Sequence, residues 1–178
     1  MLELARAGAA HPSADEVAER AGVGRRTVFR LFNDMEGLYR EMHALMVRRL
    51  QPMLLAPFEG ANWRAQLDEL IERRARVFEE MLPIKSAADG HRGRSPFLQK
   101  EHAKLTRFQR EALVAVLPPA VRNESATLEA LDLALSFESW RRLRHEQRLS
   151  RKAAVAALQR IVAALLSYGR ETAVRKPT

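Results

Sequence analysis

The sequence contains no cysteine, which excludes disulfide bonds, thiolate zinc sites and cysteine nucleophiles. It has no apolar run that approaches the roughly 18–20 residues of a membrane-spanning helix. The N-terminal segment MLELARAGAAHP carries an acid at Glu3 and no continuous apolar stretch, so it does not resemble a secretory signal. We therefore expect a cytoplasmic protein that does not contact a membrane.

Common catalytic signatures are also missing. The chain has no HExxH, GxSxG or GxxxxGKS/T motif and no pair of carboxylates at a catalytic spacing. His91 and His102 could bind a metal with Glu101 only if the segment between the two histidines folds back. We expect that the protein is not an enzyme and uses neither a cofactor nor a metal.

What the sequence does have is an excess of positive charge. The chain of 178 residues is 47% hydrophobic and 29% charged, with a formal net charge of +8, which suits a polyanionic partner. Residues 1–51 hold eight Lys/Arg and seven Asp/Glu, a net charge of only +1, whereas residues 84–110 hold seven and two, a net charge of +5. Residues 139–152, with six and one, also carry +5. The total charge therefore does not locate a binding site.

Helical periodicity runs through almost the whole chain, and strand signals are absent. Leu2, Leu4 and Ala5 are interpreted as the end of a first helix that closes near Gly8. Further helices are expected at about 14–21, 25–32, from Asn33 or Asp34 onward, 63–82, 97–117, from Ser125 or Thr127 to about 148, and 151–169 with Ser150 as its cap. Prolines at 52 and 57 favour a division into two domains, residues 1–51 and residues 52–178. Pro83 is expected to end a helix and residues 84–96 to form a loop.

Two short helical patterns at residues 13–32 predict a helix-turn-helix. Ser13 and Glu16 have the spacing of a capping box, and Gly22 suits the left-handed position after a helix. The second helix should carry the DNA-reading side chains Arg25, Arg26, Thr27, Phe29 and Arg30 near its N-terminal end, where arginine can bond guanine bidentately. The alternative for the arginines alone is a solvated basic face.

The segment EVAERAGVGRRTVFRLFNDMEGL resembles the helix-turn-helix of the TetR/AcrR family of bacterial repressors. It contains the A-x-x-A-G-V turn and the T-x-Y/F-x-x-F helix of that family, and residues 136–158 resemble the family's last two helices. The resemblance implies an all-α homodimer, in which an N-terminal three-helix DNA module precedes a helical ligand-binding and dimerisation domain.

Three features depart from the family pattern. Phe29 replaces a common tyrosine and Met35 a common lysine, and both of the replaced side chains contact phosphate in the family. The first helix of the family usually begins ten or more residues before the position of Met1, so the start of the chain is either set too late or this module docks without that extension. Arg20, Arg40 or Arg48 could compensate.

The resemblance also implies a small-molecule effector bound in the helical core. Aromatic and histidine side chains are the candidates for its pocket, and plain core packing is the alternative for most of them. The candidates are Phe78, Phe97, His102, Phe108, Phe137 and Trp140. Arg74, His91 and Arg141 could also fix a polar or acidic group of the effector.

Two apolar stripes in the last helices predict a dimer interface built as a four-helix bundle. Its residues would be Leu128, Leu131, Leu135, Leu158, Ile161, Val162 and Leu165. The alternative is that these stripes cover only the core of their own subunit. The function expected is a homodimeric repressor that a small molecule releases from a pseudo-palindromic operator in double-stranded DNA. The competing hypothesis is a helical ligand-binding or interaction protein of the same fold that has lost specific DNA binding.

Overall fold

All regular structure is helical in the computed structural model, which describes residues 3–4, 13–32 and 34–174. The helices are α1 (Ala14–Ala21), α2 (Arg25–Phe32), α3 (Met35–Leu55), α4 (Trp63–Arg92), α5 (Pro96–Val116), α6 (Pro119–Arg122), α7 (Ser125–Ala134), α8 (Phe137–Arg141) and α9 (Arg151–Val174). A π-helical turn, Arg142–Glu146, follows α8. The prediction of an all-α fold is confirmed. Most of the predicted first helix, with Leu2, Ala5 and Gly8, and the alternative cap Asn33 lie outside the described residues.

The chain forms two compact units. Unit 1 contains Met1–Ala56 and Glu79–Lys104, and unit 2 contains Pro57–Phe78 and Leu105–Thr178. Whether the functional division runs at residues 51 and 52, as the sequence suggests, stays a prediction, because compactness assigns no function. None of the described helices is long and apolar enough to cross a membrane.

Unit 1 holds the helix-turn-helix, α3, and the adjoining parts of α4 and α5. Tyr39 and Met42 of α3 are buried together with Ile84 of α4. Partly buried apolar side chains complete this cluster, namely Met46, Ala88 and Leu98. The second half of α4 is thereby packed against the helix that follows the DNA-reading segment.

Unit 2 has its core around α7, α8 and α9. α7 packs against α9, and Leu131, Trp140 and Ala154 are fully shielded from solvent. Phe78 and Phe137 meet edge to face, with ring centroids 5.5 Å apart, a favoured aromatic geometry.

Two prolines lie inside helices, so the prediction that Pro83 ends a helix is wrong. α4 continues to Arg92, and α3 includes Pro52. A proline removes only one backbone donor, and burial of Met81, Leu82 and Ile84 on either side of Pro83 offsets that loss. The loop expected at 84–96 therefore shrinks to the residues between Arg92 and Pro96.

The single helix expected at 125–148 is also wrong. Helix α7 stops at Ala134 because Ser136 begins a new helix, its Oγ accepting a hydrogen bond from the Ser139 amide at 3.2 Å. The N-cap of α7 is Glu124, whose carboxylate accepts from the Thr127 amide at 2.8 Å, and not Ser125 or Thr127. Competing side-chain caps of this kind override helical periodicity.

Candidate nucleic-acid interface

The entry into α1 is fixed by a reciprocal cap. The Glu16 amide donates to Ser13 Oγ at 3.2 Å, and the Ser13 amide donates to Glu16 Oε2 at 2.7 Å. The Ser13 hydroxyl also donates to Glu16 Oε2, at 2.8 Å. The hydrogen bonds from the Ser13 amide and hydroxyl lower the pKa of the Glu16 carboxyl below its ordinary value, because they favour the charged form. The predicted capping box is confirmed and holds the start of the bracing helix.

A left-handed glycine sets the angle between α1 and α2. Gly22 has φ 65°, a conformation that glycine adopts without the steric cost paid by other residues. Its amide donates to the carbonyls of Ala18 and Glu19, and the Val23 amide donates to Ala18 at 3.0 Å. The structure therefore contains the turn that the sequence predicts at this position.

The inward face of α2 is apolar and decides which way its arginines point. Val28 is buried with Val17, Ala18 and Leu38, and Phe32 is packed at the edge of this cluster. Since Val28 faces the core, side chains on the other side of the helix face outward. Arg25, Arg26 and Arg30 are accordingly exposed, and Thr27 and Phe29 are half-buried.

Gly37 allows α3 to begin immediately beside the end of α2. A Cβ at this position would lie 1.9 Å from the Phe32 carbonyl oxygen, so any side chain would collide with backbone. The Gly37 amide donates to Asp34 Oδ1 at 2.7 Å, which makes Asp34 the cap of α3. Sequence reasoning missed Gly37, although its position three residues after an Asp cap was a usable signal.

The three arginines of α2 differ in their partners. Arg25 Nη1 lies 3.3 Å from Asp15 Oδ2, and its guanidinium carbon lies 5.4 Å from the centre of the Phe29 ring. Within the described part of the chain, Arg26 and Arg30 form no ion pair. Two cationic side chains on the outer face of α2 are therefore available to an external anion or base edge.

The basic residues considered as substitutes for the missing phosphate contacts are partly occupied. Arg20 Nε lies 3.0 Å from Glu3 Oε2. Arg40 pairs with Glu36 one turn earlier on α3, and its guanidinium lies over a phenylalanine ring of the same unit. Arg48 is exposed. Met35 begins α3, but its side chain lies outside what the structure describes.

Comparison with known families gives this geometry its identity. Residues 3–42 match the family model described as bacterial regulatory proteins, tetR family. The N-terminal module is a TetR-family DNA-binding domain. No curated protein and no solved structure matches the chain. Residues 3–42 are thus similar to regulatory proteins of the tetR family, and further helices follow the helix-turn-helix.

Polar contacts attach the TetR-family domain to the rest of unit 1. Tyr39 Oη lies 3.1 Å from His91 Nδ1, and Ser95 Oγ donates to Glu36 Oε2 at 3.0 Å. His43 Nε2 lies 3.5 Å from Glu101 Oε2. These partners are more than fifty residues apart in the sequence, so sequence patterns gave no signal for them.

The residues predicted to bind an effector fall in both units. Phe78, Phe108, Phe137 and Trp140 belong to unit 2, where Phe78 touches Phe137 and Trp140 is fully buried. The other two candidates belong to unit 1.

In unit 1, Phe97 stacks under the Arg40 guanidinium at 4.2 Å and meets the His43 ring edge to face. His102 Nδ1 lies 3.2 Å from Lys85 Nζ. The described residues include no group of three His, Asp or Glu side chains that could hold a metal ion.

Most residues predicted to form a dimer interface are covered by their own chain. The buried ones are Leu128, Leu131, Leu135, Leu158 and Val162. Ile161 is 42% exposed, and Leu165 is half-buried. Two further apolar side chains of the same helices are strongly exposed, Leu133 at 70% and Tyr168 at 67%.

Proposed function

We propose that the protein is a homodimeric repressor that reads a pseudo-palindromic operator and is released from it by a small molecule. The observation that carries this proposal is the outer face of α2, where Arg26 and Arg30 are exposed and form no ion pair with a described residue. A recognition helix in the major groove needs donors of this kind near its N-terminal end. The TetR-family match over this segment supports the same placement.

Dimerisation is supported by an apolar stripe on α9. Ala157, Ile161, Ala164 and Tyr168 follow helical spacing beside the buried face of this helix, and Ile161 and Tyr168 are exposed. Exposed apolar stripes on a helix are typical of a surface that another helix covers. A second copy is the favoured occupant because a two-fold pair of recognition helices matches the two half-sites of a pseudo-palindrome.

Small residues on α7 extend the same argument. Ala126, Ala130 and Leu133 share one side of that helix, and Leu133 is 70% exposed. Since α7 packs against α9, both helices of one subunit can contribute to a four-helix bundle. In this proposal the exposed Ile161 and Leu133 make the intersubunit contacts, and the buried leucines support them from within the subunit.

Release by a small molecule requires that the effector bind the operator-competent and the released conformations with different affinity. A coupling free energy of about 1–3 kcal/mol changes the affinity for DNA roughly 5–150-fold. The half-buried and buried aromatic side chains of unit 2 are the proposed walls of the effector site. A regulator that acts on DNA in this way would lie in the cytoplasm.

The first test is selection of operator fragments from random double-stranded DNA on the purified protein, followed by analytical ultracentrifugation with and without the selected duplex. We expect a pseudo-palindromic consensus and a dimer. Ile161→Glu should give a monomer that loses operator binding. The matched control is Ala156→Glu, because Ala156 is exposed on another side of α9. A dimer that persists in Ile161→Glu would contradict the proposed interface.

A second candidate function is favoured by the ion pairs of the DNA-binding module. Arg20, Arg25 and Arg40 are all engaged by acids, and Phe29 offers no hydroxyl to a phosphate. A protein that kept the fold as an interaction or ligand-binding module would show these features. It predicts that selection yields no consensus and that binding to any duplex vanishes near physiological salt.

A further inference from the structure

A buried guanidinium lies in unit 2 without a contacting carboxylate. Arg74, on α4, is 6% exposed. Its Nη1 donates to the Leu135 carbonyl at 2.9 Å, and its Nη2 donates to the Gln109 carbonyl. Arg74 forms no ion pair with any described residue. Only neutral backbone oxygens therefore face this cation directly.

The electrostatic cost of this arrangement is visible in the pKa of Arg74. Burial lowers that pKa to about 10, and the charge of Asp132 opposes the shift only in part. Asp132 is engaged elsewhere, because its Oδ2 lies 3.0 Å from Arg110 Nη1. Glu129 also pairs with Arg110. The acid whose charge acts on Arg74 is thus paired with another arginine.

The residue that supplies one of these carbonyls, Gln109, also has a buried side chain. Gln109 is 8% exposed, and its Nε2 is buried without a hydrogen-bond partner among the described residues. The backbone carbonyl of this residue is the one that accepts from Arg74. Buried donors are normally satisfied, so the orphan amide of the residue whose carbonyl accepts from Arg74 indicates a missing acceptor.

We propose that Arg74 and Gln109 form the anion-binding end of the effector site and that the effector is a monocarboxylate with an apolar body. The assignment of this pair to an effector rests on the proposed function. A carboxylate offers two oxygens, one for the guanidinium and one for the amide. A phosphate dianion fits less well, since burying its second charge would leave that charge without a cation.

The apolar body is assigned to the neighbouring aromatic side chains. Phe78 follows Arg74 by four residues on α4, so both side chains lie on one side of the helix. The Phe78 ring meets Phe137 at 5.5 Å between centroids, and Phe137 lies two residues after the Leu135 carbonyl that Arg74 caps. The alternative to the carboxylate, as acceptor for Gln109 Nε2, is a buried water molecule.

The test uses the full-length protein without DNA and isothermal titration calorimetry with benzoate and hexanoate, each beside its neutral amide. We expect the carboxylates to bind at least ten-fold more tightly than benzamide and hexanamide. Gln109→Met should weaken carboxylate binding at least ten-fold and raise the midpoint of thermal unfolding, because it removes an orphan donor. Arg74→Met should abolish carboxylate binding.

Gln66→Met is the matched control, since the Gln66 amide group donates to the Gly60 carbonyl at 3.1 Å within the same unit. This variant should bind carboxylates like the wild type and melt at a lower temperature. The proposal is overturned if no probe binds, if the amides bind equally well, or if Gln109→Met leaves carboxylate affinity unchanged. The carboxylate affinity of Gln109→Met tests the proposal even if Arg74→Met does not fold.

Operator affinity in the presence of a bound carboxylate separates this inference from the proposed function. Carboxylate binding that weakens operator binding supports both. Carboxylate binding that leaves operator affinity unchanged contradicts the role in regulation and leaves the site itself standing.

Discussion

Removal of either free arginine of α2 should weaken operator binding without affecting the stability of the protein. Arg26 and Arg30 are exposed and make no ion pair within the described residues, so Arg26→Ala and Arg30→Ala break no ion pair in that part of the chain. The free energy of unfolding should therefore change by less than about 0.5 kcal/mol. A lost base contact costs roughly 1–3 kcal/mol of binding free energy, which corresponds to a roughly 5–150-fold rise in Kd.

The assay is fluorescence anisotropy with the selected operator and a scrambled duplex, each over a series of salt concentrations. If an arginine reads a base, its loss should lower discrimination between the two duplexes. If it contacts a phosphate, its loss should weaken both complexes alike and reduce the slope of log K against log salt by about one. Arg107→Ala is the control, because Arg107 is exposed on α5, outside α2 and outside the proposed dimer stripe, and should not touch DNA.

Wild-type operator affinity in both Arg26→Ala and Arg30→Ala would refute the placement of α2 in the major groove. An equal loss of affinity in Arg107→Ala would refute the specific role of α2 and indicate binding through general positive charge. Circular dichroism at increasing temperature checks that the variants are folded as the wild type is.

Two further predictions concern the stability of unit 1. Gly37→Ala should lower the free energy of unfolding by about 1–3 kcal/mol, because the added Cβ would lie 1.9 Å from the Phe32 carbonyl oxygen. Urea unfolding measures this change, with Gly24→Ala as the control, because a Cβ at position 24 meets nothing within 4 Å. Burial lowers the pKa of His43, with Glu101 opposing the shift and Lys104 and Lys85 adding to it. The unfolded chain therefore takes up a proton more readily, and stability should fall as pH drops below about 6.5. The loss should be smaller in a His43→Gln variant, and parallel urea midpoints for both proteins between pH 7.5 and 5 would contradict it.

The helix-turn-helix could be predicted from the sequence because its determinants are local. The capping box joins residues three apart, and the Gly22 turn follows directly on α1. Each signal acts within one helical turn, where side-chain chemistry alone decides the backbone conformation. The same locality made Ser150 predictable as the cap of α9, whose Ala153 amide donates to Ser150 Oγ.

The parts that could not be predicted depend on contacts between distant residues. Pro83 lies inside α4 because buried neighbours hold the helix on both sides of it, and no sequence pattern reports that burial. Arg74 has the spacing of any helical arginine, yet it caps a carbonyl 61 residues further along the chain. Which predicted leucines face the interior and which face solvent is likewise decided by packing that the apolar stripes alone do not encode.

Ion pairing inside the module separates the arginines that can strengthen DNA binding from those that can add little. To bind a phosphate, Arg25 must first give up its ion pair with the Asp15 carboxylate, which lies 3.3 Å away. The net gain in binding free energy is therefore only the difference between two similar interactions. The released carboxylate would then lie close to the DNA and repel it. Arg20 and Arg40 face the same exchange with Glu3 and Glu36. Affinity should therefore depend chiefly on Arg26 and Arg30, which pair with no acid among the described residues. The salt dependence of operator binding should be shallower than the number of arginines suggests.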